Sequence, residues 1–519
     1  MADGLNNFFK ETPLSLQNKL PKPNNEFGLK IEYNPNHLNS FEPITVNEIV
    51  LEICHLKNNS SLAEVPVKFL KMCATMVAEI LCPLFNECIK QGIYPDILKL
   101  ATVIPIPKGG DKTSMSNYRP ISLLSTINKI FEKLLFSRIC CFLYKHNIFS
   151  SNQFGYLENR STAQASLKLI SHALPAIQIG NFSIIIMIDF SKAFDCVSHK
   201  LLLAKLHRYG FRDQVLRLMA SYLSCRKQRV RVGDFATGVA LSDYIDIGVG
   251  VPQGSCLGPL LYIIYSNDLD NLLKEINTVT FADDVALCIN GENLQQLITI
   301  VNGELDLILN WSYFNLLPIN FSKCHALIIT NKRILPATVI DIRLGSKTLP
   351  IEHKTKYLGI FIDSRLMFLT HLDYVNTKLA QFCGITYHAT YKFNVGAALS
   401  YYFSFVYSLL SYGVAVWGGV LMTHQCSRTH SLFKRVVLNL FSWHFPGLEF
   451  ESLCIKLELL MPLDIYKLNV MTLYYNMKHN GYLPIIQIEK YRSLYGNRHN
   501  YDLRVPFPRT NAGTLCLPY

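Results

Sequence analysis

Two apolar segments that flank a pair of adjacent acidic residues restrict the fold of this chain more than any other feature. Apolar side chains recur at every second position on both sides of the pair, at Val279, Phe281, Val285, Leu287 and Ile289. This period of two is typical of half-buried strands. The sequence therefore predicts a β-hairpin with Asp283 and Asp284 at its turn.

The adjacent carboxylates of Asp283 and Asp284 have two explanations. Asp is a common turn residue, so the pair could be an ordinary turn. Like charges side by side repel each other, however, and a divalent cation relieves that repulsion. Mg²⁺ prefers oxygen ligands, and a carboxylate site can hold metal ions that stabilise both oxygens of a phosphoryl displacement. The pair on its own leaves both explanations open.

A third carboxylate favours the metal hypothesis. Residues 182–188 form a near-continuous apolar run that predicts a buried strand, and Asp189 follows this run directly. Between this acid and the acidic pair lies a turn-rich segment that contains Pro252-Gln253-Gly254. Residues 250–260 are rich in glycine but lack the Lys-Ser/Thr ending of a nucleotide-hydrolase phosphate loop. The three elements in this order are more specific than any one of them.

The order of these motifs resembles the reverse transcriptase domain of non-LTR retrotransposons, and is most similar to the jockey-like elements of insects. The motifs are Asp189 with Phe194, then Pro252-Gln253-Gly254, then Phe281-Ala282-Asp283-Asp284. Upstream, residues 104–111, 116–122 and 153–162 resemble the family's fingers motifs. Downstream, the chain also resembles the family's later palm motifs, at Trp311, Asn315, Asn320, Lys323 and residues 356–360. The similarity runs from about residue 45 to about residue 430.

The resemblance implies an α+β fold of the right-hand polymerase type, with fingers, palm and thumb. We expect an antiparallel palm sheet and a mainly helical thumb. The expected divisions are an extended N-terminal lead-in at 1–43, fingers at 44–180, a palm at 181–363, a helical thumb at 364–445 and a C-terminal segment at 446–519. The reverse transcriptase domain as a whole would cover about residues 87–363. Apolar spacing at Leu372, Val375 and Leu379 supports a helix in the thumb.

The resemblance also implies a role for each residue of the site. Asp189 and Asp283 would be the principal ligands of two Mg²⁺ ions, which Mn²⁺ could replace, and Asp284 would be a looser ligand. Lys and Arg suit contacts to a triphosphate, as a point charge and as a bidentate fork. The other implied roles are triphosphate contacts for Lys108 and Arg119, a position beside the nascent base pair for Gln253, a steric gate against the ribose 2′-hydroxyl for Phe194, a general acid for Lys323 and a primer-gripping turn for Leu358 and Gly359.

Simpler explanations exist for several of these residues and their neighbours. Phe194 could be a core side chain, and Lys108 and Lys323 could be solvated lysines, the commonest fate of Lys. Asp195 is expected to cap the helix predicted over residues 201–209. His199 is expected to be structural, because an isolated His seldom has a catalytic role.

Basic residues outnumber acidic ones, which favours a polyanionic partner. The chain has 50 Lys and Arg against 38 Asp and Glu, giving a formal net charge of +12. A basic cluster is predicted to contact the nucleic-acid backbone from an extended strand, although a solvated charged strand at a sheet edge is an equal alternative. This cluster consists of Arg226, Lys227, Arg229 and Arg231. Later cations are interleaved with aromatic residues, as in single-strand binding surfaces, at Lys490, Arg492, Arg498, Arg504 and Arg509.

The chain is expected to act inside the cell, in the nucleus or the cytoplasm. Its 15 cysteines lie among apolar residues without Cys-x-x-Cys spacing, which is typical of reduced thiols, and no secretory signal is recognisable. Residues 397–422 carry no charge and are long enough to span a bilayer. Their tyrosines, serines and glycines, and their resemblance to the thumb, favour a buried helix pair, so no membrane partner is expected.

The resemblance implies an RNA-directed DNA polymerase of retrotransposon replication, whose partners are an RNA template, a DNA primer and deoxynucleoside triphosphates. Two alternatives remain: a decayed remnant that binds nucleic acid without efficient turnover, and an RNA-templated RNA polymerase. Residues 60–66 depart from the Gly-Pro-Asp-Gly-like turn that is common in the family. We expect no endonuclease, RNase H or zinc-knuckle domain in this chain, as in a truncated copy or a partial gene model.

Overall fold

The computed structural model describes most of the chain, namely residues 1–22, 28–29, 31–57, 65–234, 238–332, 340–389 and 392–479. Two features of the sequence lie largely outside these residues. One is the departure from the family's fingers turn, of which residues 60–64 are not described. The other is the group of C-terminal cations at residues 490–509.

Helices form the larger part of the described chain. The α-helices are α1 Ala2–Asn18, α2 Val46–His55, α3 Val67–Met72, α4 Ala74–Gln91, α5 Thr126–Lys145, α6 Thr162–Gln178, α7 His199–Arg208, α8 Asp213–Leu223, α9 Leu257–Ser266, α10 Leu269–Leu272, α11 Leu294–Phe314, α12 Leu369–Ala389, α13 Val395–Tyr401, α14 Ser408–Ser411, α15 Val414–Trp417, α16 Ser427–Phe441, α17 Phe450–Lys456 and α18 Pro462–His479. Short 3₁₀ segments lie at Asp96–Lys99, Met115–Asn117, Gly418–Met422 and His424–Cys426, and a π-helical turn lies at Tyr402–Tyr407.

In the described part of the chain, the strands are grouped into two larger sheets and two small hairpins. They are β1 Leu100–Pro107, β2 Tyr118–Leu123, β3 Phe182–Ile188, β4 Arg226–Asp234, β5 Gly238–Leu241, β6 Ile245–Ile247, β7 Asn277–Phe281, β8 Asp284–Gly291, β9 His325–Ile329, β10 Arg343–Leu344, β11 Lys347–Thr348, β12 Ile351–Glu352, β13 Lys354–Tyr357 and β14 Ile360–Asp363. The chain is thus a mixture of helices and mainly antiparallel sheets, as the sequence predicts for an α+β protein.

The chain divides into two compact units, and neither of them is continuous in sequence. The first unit consists of Met1–Tyr156, Asp189–Lys274 and Asp306–Asn320. The second unit consists of Leu157–Ile188, Glu275–Leu305 and Phe321–Tyr519. The division into fingers, palm and thumb made from the sequence remains a prediction.

The first unit is built on a sheet in which β4 lies centrally. The strand order is β2-β1-β4-β5, with β6 also paired to β4, and β1 runs parallel to β4 while the other pairs are antiparallel. Helix α1 packs on this sheet, because Leu5 and Phe9 share a buried cluster with Val103 and Val230.

The prediction of an extended lead-in over residues 1–43 is wrong for Ala2–Asn18, which are helical. The asparagines and prolines of this region favour an extended chain by local propensity. Leu5 and Phe9 are one helical turn apart, so a helix turns both toward the sheet, and their burial outweighs the weak local propensity.

The second unit is built on a sheet with the strand order β12-β9-β3-β8-β7. All pairs are antiparallel except β12 with β9. All seven residues of β3 are buried, as the apolar run predicts, and helix α6 packs against this sheet. Helix α12 packs against α16 and buries Leu372, Val375 and Leu379, which confirms the helix predicted there.

The uncharged segment that raised the membrane alternative is a bent pair of helical stretches. Within the described residues, no single helix is long and apolar enough to cross a membrane. The stretches Val395–Ser411 and Val414–Met422 meet that length and composition criterion only together, and they are bent by 45°.

Candidate active site

The acidic pair lies at the hairpin that the sequence predicts, in the second unit. Strands β7 and β8 are antiparallel, Phe281 pairs with Asp284, and Ala282 and Asp283 form a two-residue loop. Ala282 is buried and has a φ of 56°, in the left-handed region that a two-residue hairpin loop requires and that Gly or Asn usually occupies. The loop leaves Asp283 half-buried and Asp284 exposed.

Strand pairing aligns the start of β8, where the acidic pair lies, with the end of β3, which Asp189 follows directly. Ile188, the last residue of β3, pairs with Val285 on β8. Asp189 is the next residue after Ile188, and Asp284 is the residue before Val285. Chain connectivity therefore assigns the three carboxylates to the same end of one strand pair.

Asp189 has a defined orientation within the first unit. Its Oδ2 accepts a hydrogen bond of 2.9 Å from Nδ2 of Asn320, and its carbonyl oxygen accepts one of 2.8 Å from the Asn320 backbone N–H. Phe190 forms a β-bridge with Ile319. The 318–320 segment thus holds the backbone that carries Asp189.

The residue types at this position fit a divalent cation. Asp189, Asp283 and Asp284 are carboxylates that are half-buried or exposed, and carboxylate oxygen is the donor that Mg²⁺ prefers. Among the described residues, no group of three His, Cys, Asp or Glu side chains converges in a ready-made metal cluster. Burial raises the pKa of Tyr357, and the charge of Asp284 raises it further. The three carboxylates therefore fit a divalent cation by the chemistry of their oxygen donors and by their position along the strands.

Two cations predicted to contact a triphosphate lie on one hairpin of the first unit. Ile106 on β1 pairs with Arg119 on β2, and the Lys108 N–H donates to the Asn117 carbonyl at 2.8 Å just beyond β1. Both Lys108 and Arg119 are exposed. The charge of Lys108 is near enough to lower the pKa of Asp195, opposing the effect of burial.

Gln253 is fixed by its side chain and its backbone. Its Nε2 donates to Oδ1 of Asp195 at 2.7 Å, and its carbonyl oxygen accepts from the Ser122 N–H at 2.7 Å. Burial raises the pKa of Asp195 to about 6, although the bond from Gln253 and the charge of Lys192 lower it. Asp195 is therefore largely ionised above pH 7 and accepts the Gln253 bond as a carboxylate.

The prediction that Asp195 caps the next helix is wrong. Helix α7 begins at His199, and the Ser198 side chain accepts the cap hydrogen bond from the Leu201 N–H. Ser198 is the residue immediately before the helix, so its hydroxyl is within reach of the first-turn N–H groups. The carboxylate of Asp195 is instead bound to Gln253.

Phe194 is a half-buried ring that is supported from one side. It stacks on Tyr262 with a centroid distance of 4.6 Å and an interplanar angle of 22°. Tyr156 approaches its edge at 6.4 Å. The ring is therefore held in place without being fully buried in the core.

His199 has a structural role, as expected. Its Nε2 donates to the Gly250 carbonyl oxygen at 2.7 Å, and burial lowers the pKa of its imidazole. A neutral ring that is bound to the backbone fastens the 250–256 loop to α7.

The predicted primer-gripping turn is a tight hairpin of the second unit. Tyr357 on β13 pairs with Ile360 on β14, so Leu358 and Gly359 form a two-residue loop with φ values of 43° and 88°. Two positive φ values are typical of a type I′ turn. The hydroxyl of Tyr412 donates to the Leu358 carbonyl at 2.7 Å and fixes the loop on helix α14's end.

Lys323, the predicted general acid, lies on the turn before β9. Its side chain is exposed, and its carbonyl oxygen is 3.0 Å from Nδ1 of His325. His325 also contacts the Thr355 hydroxyl, with Nε2 at 2.6 Å from Oγ1. These contacts set the backbone position of Lys323.

The basic cluster lies on strand β4, and its four cations differ in their exposure to solvent. Lys227 is exposed, whereas Arg229 and Arg231 are half-buried. The prediction of a backbone contact is wrong for Arg226, which is only 4% exposed. Its guanidinium stacks over Tyr222 at 4.7 Å and donates to the Tyr222 carbonyl, because the alternation of β4 points this side chain inward.

Sequence reasoning missed Glu132 on α5. Its carboxylate is fully buried, and it accepts hydrogen bonds from the Tyr222 hydroxyl at 2.8 Å and from the Cys256 N–H at 2.6 Å. The available signal was the position of Glu132 among the apolar residues Ile130, Phe131, Leu134 and Leu135. An acid that is buried with such neighbours needs specific partners.

Comparisons with known proteins agree with the motif order. The model of the family "Reverse transcriptase (RNA-dependent DNA polymerase)" matches residues 106–362. The probable RNA-directed DNA polymerase from transposon BS of Drosophila melanogaster is 30% identical over 350 residues, which are 66% of this chain and 38% of that protein. The RNA-directed DNA polymerase from mobile element jockey of the same species is 27% identical over 358 residues, 67% of this chain and 38% of that protein. The chain therefore spans about two fifths of the length of these curated relatives.

Proposed function

Because the chain belongs to the reverse transcriptase family, among the polymerases of jockey-like non-LTR retrotransposons, we propose that it is an RNA-directed DNA polymerase. It adds deoxynucleotides to the 3′-hydroxyl of a primer on an RNA template, as part of retrotransposon replication. The pairing of Ile188 with Val285 carries this proposal. It brings the chain positions of Asp189, Asp283 and Asp284 to one strand end.

The architecture proposed for this activity is a right hand. The β12-β9-β3-β8-β7 sheet would be the palm, the β1–β2 hairpin would belong to the fingers, and α12 with α16 would belong to the thumb. This assignment rests on the family and on the position of each motif within its own unit.

The proposed metal ligands are Asp189 and Asp283, with Asp284 as a looser third ligand, in a site that takes two Mg²⁺ ions. Divalent metal ions, when bound, supply Lewis acidity to the primer hydroxyl and to the triphosphate. The hydrogen bond from Asn320 orients Asp189, and the tight hairpin orients Asp283. Such orientation limits the reorganisation needed when the carboxylates bind cations.

The remaining residues bind and select the nucleotide. Lys108 and Arg119 neutralise the triphosphate from the exposed β1–β2 hairpin. Lys323 donates a proton to the departing pyrophosphate, and the Leu358-Gly359 turn holds the primer. Lys227, Arg229 and Arg231 contact the nucleic-acid backbone, a contribution that weakens as salt concentration rises.

Primer extension by the purified chain tests this function. On poly(rA) primed with oligo(dT), we expect incorporation of dTTP that requires Mg²⁺ and stops on addition of EDTA. Tight binding of the template-primer without any extension would instead identify the chain as a remnant that binds nucleic acid without turnover.

Substitution Phe194→Ala tests the steric gate. Removal of the ring opens the space that a 2′-hydroxyl would occupy, so incorporation of rTTP relative to dTTP is expected to rise about 10- to 100-fold. The measurement is single-nucleotide incorporation with each nucleotide at limiting concentration. Tyr262→Phe keeps the ring that supports Phe194 and is the matched control, with an expected preference equal to that of the unmodified chain.

An unchanged sugar preference in Phe194→Ala would remove Phe194 from the gate and return it to a packing role. A preference of the unmodified chain for rTTP would support the alternative of an RNA-templated RNA polymerase.

A further inference from the structure

The loop that carries Gln253 is bound by two acidic side chains that have no place in the mechanism above, one at the Gln253 side chain and one at the C-terminal end of the loop. Gly250 and Cys256 mark the two ends of this loop. Asp195 binds the Gln253 side chain, and Glu132 binds the Cys256 N–H. Both acids are desolvated, and burial raises the pKa of each carboxyl above its usual range.

The N-terminal part of the loop is joined to the segment around Asp195. The Val251 N–H donates to the Phe194 carbonyl at 2.9 Å, and the Gly250 N–H donates to the Val197 carbonyl at 2.8 Å. A Cβ on Gly250 would lie 2.6 Å from the Asp195 carbonyl oxygen, and the φ of Gly250 is +84°. No other residue type fits this position without a shift of the backbone.

The C-terminal part of the loop is joined to β2 and α5. The Ser122 N–H donates to the Gln253 carbonyl, and a Cβ on Gly254 would lie 2.7 Å from the Ser122 carbonyl oxygen. Glu132 Oε2 accepts from the Cys256 N–H at 2.6 Å, while Oε1 accepts from the Tyr222 hydroxyl at 2.8 Å. The backbone on both sides of Gln253 is therefore fixed.

The Asp195 carboxylate determines how the Gln253 amide is oriented. An ionised carboxylate accepts hydrogen bonds and donates none, so it selects the orientation in which Nε2 faces Asp195 and Oε1 faces away. Desolvating two carboxyl groups opposes stability, and a buried acid is weak evidence for a stabilising role.

We propose that Asp195 and Glu132 are positioning residues for nucleotide binding: Asp195 orients the Gln253 amide toward the incoming nucleotide, and Glu132 fixes the loop that carries it. The inference rests on the proposed function, in which Gln253 lies beside the nascent base pair. In this proposal neither acid contacts the nucleotide, and both act through the position of Gln253.

Steady-state kinetics of Asp195→Ala, Asp195→Asn and Gln253→Met test the proposal with the full chain. Asp195→Ala is expected to raise KM for dTTP about 10-fold, because a hydrogen bond to a charged partner is lost. Its kcat is expected to fall less than KM rises, and its affinity for template-primer is expected to stay unchanged. Asp195→Asn keeps an acceptor oxygen and is expected to restore KM to within about threefold of the unmodified value.

A double variant separates positioning from general stability. If Asp195 acts through Gln253, the double variant Asp195→Ala with Gln253→Met is expected to have a KM for dTTP within about twofold of that of Gln253→Met alone. Glu132→Gln retains an acceptor for the Cys256 N–H and is expected to keep KM. Asp306→Asn, on an exposed side chain of the same unit, is the matched control.

Binding of dTTP to a complex with a chain-terminated primer gives a readout that does not depend on chemistry. Equal dTTP affinity in Asp195→Ala and the unmodified chain, or additive effects in the double variant, would overturn the positioning role while leaving the polymerase function intact. An unmodified chain that neither extends primers nor binds dTTP would overturn both. If Asp195→Ala does not fold, Gln253→Met alone must show the 10-fold loss of dTTP affinity, and its absence would overturn the proposal.

Discussion

Substitution of Asp283 or Asp189 by Asn is expected to lower the rate of primer extension by at least about 10³-fold, because each variant would lose a charged oxygen ligand of the proposed metal site. Asn has nearly the same shape as Asp, so the hairpin and the contact from Asn320 are expected to remain. Asp284→Asn is expected to cause a smaller loss, since Asp284 is exposed and is assigned as the looser ligand.

Two measurements accompany the rate. Template-primer affinity is expected to stay within about threefold of the unmodified value, because the basic residues of β4 and of the β1–β2 hairpin are unchanged. The thermal unfolding midpoint checks that each variant folds. Asp306→Asn, on an exposed position of α11, is the matched control and is expected to retain full activity. Retention of more than about a tenth of the activity by Asp283→Asn would contradict its assignment as a principal ligand.

Substitution Asp268→Ala is expected to destabilise the chain by about 3–5 kcal/mol, because it leaves a buried cation without its partner. Lys205 and Asp268 are fully buried, and Nζ lies 2.7 Å from Oδ1. The same oxygen accepts a hydrogen bond of 3.1 Å from Trp311 Nε1, and the ammonium group donates to the Tyr265 carbonyl. This network joins α7, the residues before α10, and α11.

Urea unfolding followed by tryptophan fluorescence and by circular dichroism measures the destabilisation. Replacing both partners, as Lys205→Met with Asp268→Leu, removes both charges and is expected to cost less than Asp268→Ala alone. Asp464→Ala breaks an ion pair with Lys467 whose side chains are about half exposed, and it is expected to cost less than about 1 kcal/mol. A loss below about 1 kcal/mol for Asp268→Ala would show that the buried pair does not hold these helices together.

Local periodicity was enough to predict the elements that carry the acids. The alternation around Asp283 and Asp284 predicted the β7–β8 hairpin, and the apolar run of residues 182–188 predicted the buried strand β3. These predictions succeeded because burial on one or both faces of a sheet leaves a direct mark on the residue pattern. The roles of the individual site residues stay predictions.

The errors arose where distant segments decide the outcome. Helix α1 depends on the partners Val103 and Val230, which are far away in sequence, and the sequence pattern alone suggested an extended chain. Asp195 was assigned to the nearest helix start, but its partner Gln253 lies 58 residues further along the chain. Strand alternation sets Arg226 on the face opposite Arg229 and Arg231, but the sequence pattern does not show that this face is covered by the Tyr222 ring, which buries Arg226. For α1 and Asp195 a long-range contact outweighs a local preference. For Arg226 the deciding contact is local, with the ring and carbonyl of Tyr222 four residues earlier.

The most direct test of the account is to map the metal site on the protein itself. Fe²⁺ bound in place of Mg²⁺ generates hydroxyl radicals with ascorbate and peroxide, and these radicals cut the peptide backbone close to the metal. We expect two cuts in the unmodified chain, one near Asp189 and one near Asp283, both suppressed by excess Mg²⁺ and both lost in Asp283→Asn. Cutting near only one of these segments, or the same two cuts in Asp283→Asn, would contradict a metal site shared by the three carboxylates.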